Sequence, residues 1–383
     1  MFKSAAFATL LCSAVSLAQT PQPKPVPIQS HEVNADNTIT FRYTAPAATK
    51  VTLSIDASRK QLPMTRDANG VWSVTTLPLP PEFYDYTFYE DGRMRTDPLN
   101  TAFVRNLVSP ASVMLLPGTP PQPWELSDVP HGRVDHHLYT THIATNLPRN
   151  QEPYVVYTPP GYDPARKRGY PVLYLLHGWS DTEHAWTEEG HADAILDRLL
   201  ADGKVVPMIV VMPLGYGDFN FALQGFKSWH EPIKVSDNLD QYSRMLRTEI
   251  IPAVEHEYNT APGRENRAIA GLSMGGLESL TIGLGHPDQF AWIGGMSSAV
   301  IGANDTTYEQ YLPNLDAKKA NIRLLWIACG KTDSLITENH QFIAWTKTKG
   351  FDPVTVETPG AHTWLTWRDN FVTLAPLLFK SKE

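Results

Sequence analysis

Residues 268–279 read AIAGLSMGGLES, and the fold turns on how Ser273 is understood. An apolar run ends at a serine set between Gly271 and Gly275, and a helix-period segment over 274–285 begins directly after it. A plain strand-to-helix turn would use Ser273 as a helix cap. A nucleophile elbow, Gly271-Leu272-Ser273-Met274-Gly275, would hold the serine in a strained backbone conformation. There the glycines remove Cβ atoms that would clash, and the helix N-terminus faces a developing oxyanion. The flanking sequence separates the two readings.

Outward from this stretch, continuous apolar runs recur at 154–158, 171–178, 208–213, 292–298, 322–330 and 354–360. Helix-period segments lie between them: 191–201, 237–258 with a kink expected at Pro252, and 274–285. Runs that are continuous rather than alternating are the mark of strands covered on both faces. Residues 133–383 are therefore expected to form an α/β domain with a mostly parallel central sheet covered by helices on both faces. Upstream, TITFRYTA, KVTLSI, GVWSVTT and YDYTFYEDG alternate and are separated by turn residues. They predict a small antiparallel β-sandwich over 31–116, immunoglobulin-like in kind. Trp72, Tyr84 and Tyr86 there fit either the sandwich core or a sugar-stacking platform. Residues 117–132, rich in proline, read as the inter-domain connection, and 19–30 as a Pro-rich linker.

The 383 residues are 42% hydrophobic and 19% charged, enough for a proper core. A net charge of −8 with no basic run argues against nucleic acid, whose phosphates need a basic face, and against a membrane surface. The first residues, MFKSAAFATLLCSAVSLAQT, carry Lys3, a short apolar run, and Ser16 and Ala18 at the −3 and −1 places. They predict a signal peptide over 1–18 and export to the periplasm or beyond. Leu11 is too large for the lipidation alternative at Cys12. Cleavage would leave Cys329 alone, in a run that reads as a buried strand, and without a disulfide partner.

A serine hydroxyl needs a base, and the base a carboxylate. In this architecture both follow the serine, each after a later strand. WIACGKTDSL places Asp333 on one exit loop and VETPGAHTW places His362 on the next. Asp333 also suits a helix cap, and Asp305 and Asp316 are weaker rivals in an apparent surface excursion. The loop after YLLHG supplies the second oxyanion donor, the Trp179 N–H, opposite that of Met274. His177 reads as structural, since it precedes the serine and ends a buried strand. The thirteen histidines cluster in DHHLYTTH and around 177–191 without zinc-site spacing, and neither metal nor cofactor is expected. The aromatic stretch 215–232 is expected to cap the site with Phe219, Phe221, Phe226 and Trp229. Trp186 and Trp364 would add walls beside Trp179, suiting a flat acyl group.

YPVLYLLHGWSDTEHAW, PMIVVMPLGYG, RAIAGLSMGGLESL, CGKTD and GAHTWLTWR together resemble the putative-esterase family of α/β-hydrolases. That family includes the family-one carbohydrate esterases (feruloyl and acetylxylan esterases), enterochelin esterases and S-formylglutathione hydrolases. The stretch 31–116 resembles the early-set domains related to carbohydrate-binding module family forty-eight. The resemblance implies Ser273 as nucleophile, Asp333 as acid, His362 as base, and Trp179 and Met274 as oxyanion donors. It implies a secreted esterase acting on feruloyl or acetyl esters of plant cell-wall polysaccharide, with glycan contact by the N-terminal domain. A siderophore esterase, which would favour basic cap residues such as Lys227 and Lys234, and an acyltransferase are the alternatives on the same triad. The family often shows two glycines before the histidine. Here they are Gly360 and Ala361, a change tolerated unless position 361 needs positive φ.

Overall fold

The computed structural model describes residues 28–58, 60–300 and 305–380. The expected signal peptide and most of the 19–30 linker lie outside the described residues.

The larger domain is built on an eight-stranded sheet. Its strands are β1 (Arg133–Thr140), β2 (Gln151–Thr158), β3 (Val172–Leu176), β4 (Ile209–Pro213), β5 (Arg267–Leu272), β6 (Trp292–Met296), β7 (Leu324–Gly330) and β8 (Val354–Thr358). Their order is β1-β2-β4-β3-β5-β6-β7-β8. The pairs β1–β2 and β2–β4 are antiparallel and every later pair is parallel. This is the α/β-hydrolase architecture. Strand β3 shows why these runs read as continuous. Val172, Tyr174 and Leu176 face one apolar cluster, Leu173 and Leu175 the other, and all five are buried. Strand β1 is absent from the apolar runs because it is an edge, with exposed Leu138 and a chain of polar side chains.

The long helix after β4 runs as Pro232–Met245, a π-type turn Leu246–Ile250, then Ile251–Glu257. The irregularity expected at Pro252 thus sits just before it. A proline cannot donate the i→i−4 bond, and the widened turn absorbs the loss. Leu239, Tyr242, Met245, Leu246, Ile250 and Val254 are all buried, as one face.

The N-terminal domain is an antiparallel sandwich. One sheet pairs His31–Val33, Ile39–Thr44, Val71–Thr75 and Thr65–Arg66; the other centres on Val51–Ile55, Glu82–Glu90 and Ala111–Leu116. Trp72, Tyr84 and Tyr86 are buried in its core beside Phe41, Leu53 and Phe88. Their polar tips are taken by Ala45 O, Pro80 O and the Asp97 carboxylate. Of the two readings of these rings the core one holds, and the sugar-stacking platform does not: inward alternation on both sheets consumes them.

Strand Glu82–Glu90 turns its other face to the larger domain. Phe83 stacks on His191, with centroids 3.9 Å apart. Arg368, in helix Trp364–Leu374 and 1% exposed, donates to Phe83 O at 2.8 Å and pairs with Glu82 at 3.1 Å. Burial pushes Glu82 up to about 7 although Arg368 pulls the other way. Leu365 of the same helix packs against the sandwich core, so the two domains share apolar contact as well as charge.

Candidate active site

Strand β5 ends at Leu272, and helix Ser273–Gly285 starts with no loop between. Ser273 has φ 52°, the left-handed region that a non-glycine residue occupies only when its surroundings hold it there. Its neighbours leave no space for side chains. A Cβ on Gly275 would lie 2.5 Å from His177 O and 2.6 Å from Leu176 O; one on Gly271 would lie 2.4 Å from Gly275 O. The Gly275 N–H donates to His177 O at 3.0 Å, which pins the helix start against the end of β3. The helix has no side-chain cap, so Ser273 Oγ is not spent on one. It lies 3.0 Å from His362 Nε2 instead.

His362 follows β8. Its Nδ1 faces both oxygens of Asp333, at 3.1 and 3.0 Å, and Asp333 follows β7. As acceptor, the carboxylate places the imidazole proton on Nδ1 and leaves Nε2 free to take the Ser273 proton. Burial alone would push the Asp333 carboxyl up. The hydrogen bond and charge of His362, with the Leu335 N–H and the Ser297 hydroxyl, outweigh it and hold Asp333 below the ordinary range. Among the rivals, Asp316 caps a short helix through the Lys319 N–H; the Asp305 side chain lies outside the described residues.

Residues to which the motif reading gives no role complete this array. Trp367 packs edge-on against His362 at 4.9 Å and donates from Nε1 to Ser297 Oγ at 3.1 Å. Ser297, also at positive φ, sits at the end of β6, and only sheet register brings it to Asp333. Gly360 holds φ 124° with no room for a Cβ, whereas Ala361 has no positive φ, so the alanine fits. Cys329 is buried beneath Asp333, and burial pushes its thiol up to about 12, too inert for chemistry of its own.

Facing Ser273, the loop after β3 folds back. Gly178 packs so closely that an added Cβ would be 3.5 Å from Ser273 Cβ. The Trp179 N–H has no acceptor among the described residues, and Met274 lies in the first helical turn, which lacks an intrahelical acceptor. His177 is buried and structural: Nδ1 donates to Gly178 O at 2.8 Å, and Nε2 accepts the Gly215 N–H at 2.8 Å. Burial drives its pKa down to about 4, so it stays neutral. Among the described residues no cluster of His, Cys, Asp and Glu has an arrangement suited to a metal.

A cavity of about 480 Å³ opens over Ser273 and His362. Trp179, Phe226, Trp229 and Trp364 line it, and the opposite wall belongs to the sandwich, with Asp56, Asp85 and Asn106. Three expected wall residues are elsewhere. Trp186 is 1% exposed, bonded to Leu176 O and packed on Trp364 and Phe371. Phe221 is buried against Trp229, and Phe219 packs on Tyr216. In each case packing within the protein takes the ring before a ligand can. A larger depression of about 960 Å³ between helices Pro232–Met245 and Ser273–Gly285 contains no triad residue, although Trp229 and Ala299 border both spaces.

The sheet order and the strand–serine–helix junction define an α/β-hydrolase fold in which Ser273, His362 and Asp333 form one hydrogen-bonded line. A family model described as "Putative esterase" matches residues 149–378, and one for carbohydrate-binding module 48 (isoamylase N-terminal domain) matches residues 29–100. The chain belongs to this esterase family. It is 30% identical over 368 residues to the endo-1,4-beta-xylanase/feruloyl esterase of Xylanibacter ruminicola, across 94% of this chain and 47% of that protein. The chain thus spans about half the length of that relative. Among solved structures, the CE1 ferulic acid esterase of Anaeromyces mucronatus in complex with ferulic acid aligns at TM-score 0.57 and 24% identity, over 67% of this chain and 93% of that one. The enterobactin esterase FES of Shigella flexneri aligns at TM-score 0.65 and 17% identity, over 89% and 93%. Its coverage takes in both domains and shows a shared fold.

Proposed function

We propose that the chain is an exported serine carboxylic-ester hydrolase acting on feruloyl or acetyl esters of plant cell-wall polysaccharide. The unbroken line from Ser273 Oγ through His362 to Asp333 carries this reading. His362 Nε2 takes the serine proton as Oγ attacks the ester carbon, and the Trp179 and Met274 N–H groups receive the oxyanion. The same imidazole then protonates the departing alcohol, and water, activated by His362, releases the acid from Ser273. Asp333 holds the tautomer and the imidazolium throughout.

Two features support an aromatic acyl group: the rings of Trp179, Phe226, Trp229 and Trp364 around the cavity, and the feruloyl esterase name of the Xylanibacter relative. A polyhydroxylated alcohol portion would meet the polar sandwich wall, the basis for proposing glycan contact by this domain. The siderophore-ester alternative draws on the two-domain similarity to the enterobactin esterase. It is disfavoured because Lys227 and Lys234, the basic cap residues, do not line the cavity. Acyl transfer to another alcohol uses the same acyl-enzyme. Export rests on the N-terminal pattern, and an N-terminus at Gln19 in the mature protein would support it.

The test is initial rates of the mature chain and of Ser273→Ala on methyl ferulate, an acetylated xylan fragment, p-nitrophenyl acetate and enterobactin. Serine-dependent preference for the ferulate ester is expected, with Ser273→Ala down by about 10⁶ in kcat. Equal rates for the two proteins would overturn the mechanism, and turnover of siderophore ester alone would overturn the substrate assignment.

A further inference from the structure

The sandwich bonds to the loop that carries Trp179 through the turn between its strands Phe103–Val104 and Ala111–Leu116. Asn106 Oδ1 accepts the N–H groups of Val108 and Ser109 at 3.0 and 2.8 Å and the Ser109 hydroxyl at 3.2 Å. With its oxygen so occupied, the amide can only turn Nδ2 outward, and Nδ2 donates to Asp181 Oδ1 at 2.8 Å. The next residue, Leu107, donates its N–H to Ser180 O at 2.7 Å. Two bonds from the sandwich therefore land on the loop that carries Trp179.

That loop is held from its own domain as well. His177 Nδ1 and the Asp181 N–H both donate to Gly178 O, at 2.8 and 3.2 Å. The Ser180 N–H donates to the Tyr216 hydroxyl at 2.8 Å. Gly178 C=O and Trp179 N–H belong to one planar trans peptide, so fixing the carbonyl fixes the N–H in the opposite direction. Ser180 stands at φ 72°, a corner that relaxes unless its neighbours hold it.

We propose that Asn106, a residue of the N-terminal domain, is a positioning residue for the ester-hydrolysis reaction: through Asp181 and Ser180 it sets the direction of the Trp179 N–H. The inference rests on the Ser273 esterase reading and gives the sandwich a part in catalysis separate from glycan contact. Burial pushes Asp181 up to about 7, the Asn106 hydrogen bond pulls it down, and Asp85 and Glu189 face it with like charge. Its bond to Asn106 is therefore one that a change of charge at either end disturbs.

The experiment uses the full mature chain with p-nitrophenyl acetate and methyl ferulate. Asn106→Ala should lower kcat about 10- to 100-fold with KM changed less than about threefold, because a misplacement near 1 Å costs about 10² and a lost donor 10²–10³. Benzeneboronic acid, which forms a tetrahedral adduct on Ser273, should lose affinity in proportion to kcat/KM, while inhibition by ferulate stays unchanged. Asn106→Asp keeps the shape. At pH 5.5 a proton shared with Asp181 restores the bond, and at pH 8 two carboxylates repel, so its deficit against wild type should grow with pH. This comparison within one folded protein holds even if the alanine variant folds poorly. Wild-type kcat within twofold in Asn106→Ala, a kcat loss without loss of boronate affinity, or a pH-independent deficit in Asn106→Asp would each overturn the proposal. Absence of Ser273-dependent turnover in the wild type would overturn the esterase reading itself.

Discussion

Asp333→Asn is the sharpest perturbation of the triad because it changes one atom and almost no volume. In the native site Asp333 Oδ1 accepts the Leu335 N–H at 2.8 Å, and Oδ2 lies 3.0 Å from His362 Nδ1. An asparagine must keep its carbonyl oxygen toward Leu335, since an NH₂ there would face another donor. Its Nδ2 then takes the Oδ2 position beside His362. The imidazole can accept that bond only by moving its own proton from Nδ1 to Nε2, the atom 3.0 Å from Ser273 Oγ. The base is thereby blocked while the fold is unchanged. The loss also removes the charge that stabilises the imidazolium, and together these effects cost about 10⁴ in kcat in the best-studied triad, roughly 5.5 kcal/mol of barrier. Steady-state kinetics on p-nitrophenyl acetate at pH 7.5, beside an equilibrium unfolding curve, measures both sides. The expected result is a kcat lower by about 10³–10⁵ with KM and unfolding midpoint close to wild type. A loss under tenfold would show that Asp333 does not set the tautomer and would refute the assignment.

Two further outcomes follow from burial. Trp186→Phe removes the Nε1 bond to Leu176 O and should cost about 1–3 kcal/mol in denaturant unfolding while leaving KM for methyl ferulate unchanged. Trp229→Ala, on the cavity wall, should do the reverse, and a KM effect confined to Trp186 would return that ring to the site. Glu82 is raised from 4.5 to about 7 in the folded protein, so between those pH values the native state binds more proton than the unfolded chain. Its contribution to stability is present below about 4.5 and is lost as pH rises through about 7. Glu82→Gln should therefore gain stability relative to wild type over that window, by at most about 3 kcal/mol, read as the difference in unfolding free energy at pH 4.5 and 8. A constant difference would remove Glu82 from the proton linkage.

The order of elements was legible in the chain because parallel strands buried on both faces must be apolar throughout. Runs such as 172–176 and 268–272 therefore announce themselves. The strand–serine–helix junction, and the exit loops that carry Asp333 and His362, were legible for a related reason. A sheet edge gathers whatever follows its strands, and glycine marks where a side chain's Cβ would come within 3 Å of a neighbouring backbone. Strand β1 was hidden because an edge strand needs no apolar pattern. The aromatic wall was misread in part: Trp186, Phe219 and Phe221 have the same composition signal as Phe226 and Trp229, and only packing separates a ring spent on a helix from one left facing the cavity. Ser297 and Asn106 carry no motif, and nothing in GAHTWLTWR marks what Trp367 touches. Their partners lie 36, 70 and 75 positions away in sequence, so their roles exist only once sheet register and domain docking have set the distances. Sequence determined which groups stand at the ends of strands; the tertiary structure decided which of them touch, because contact between distant residues depends on a register and a docking angle that no local pattern encodes.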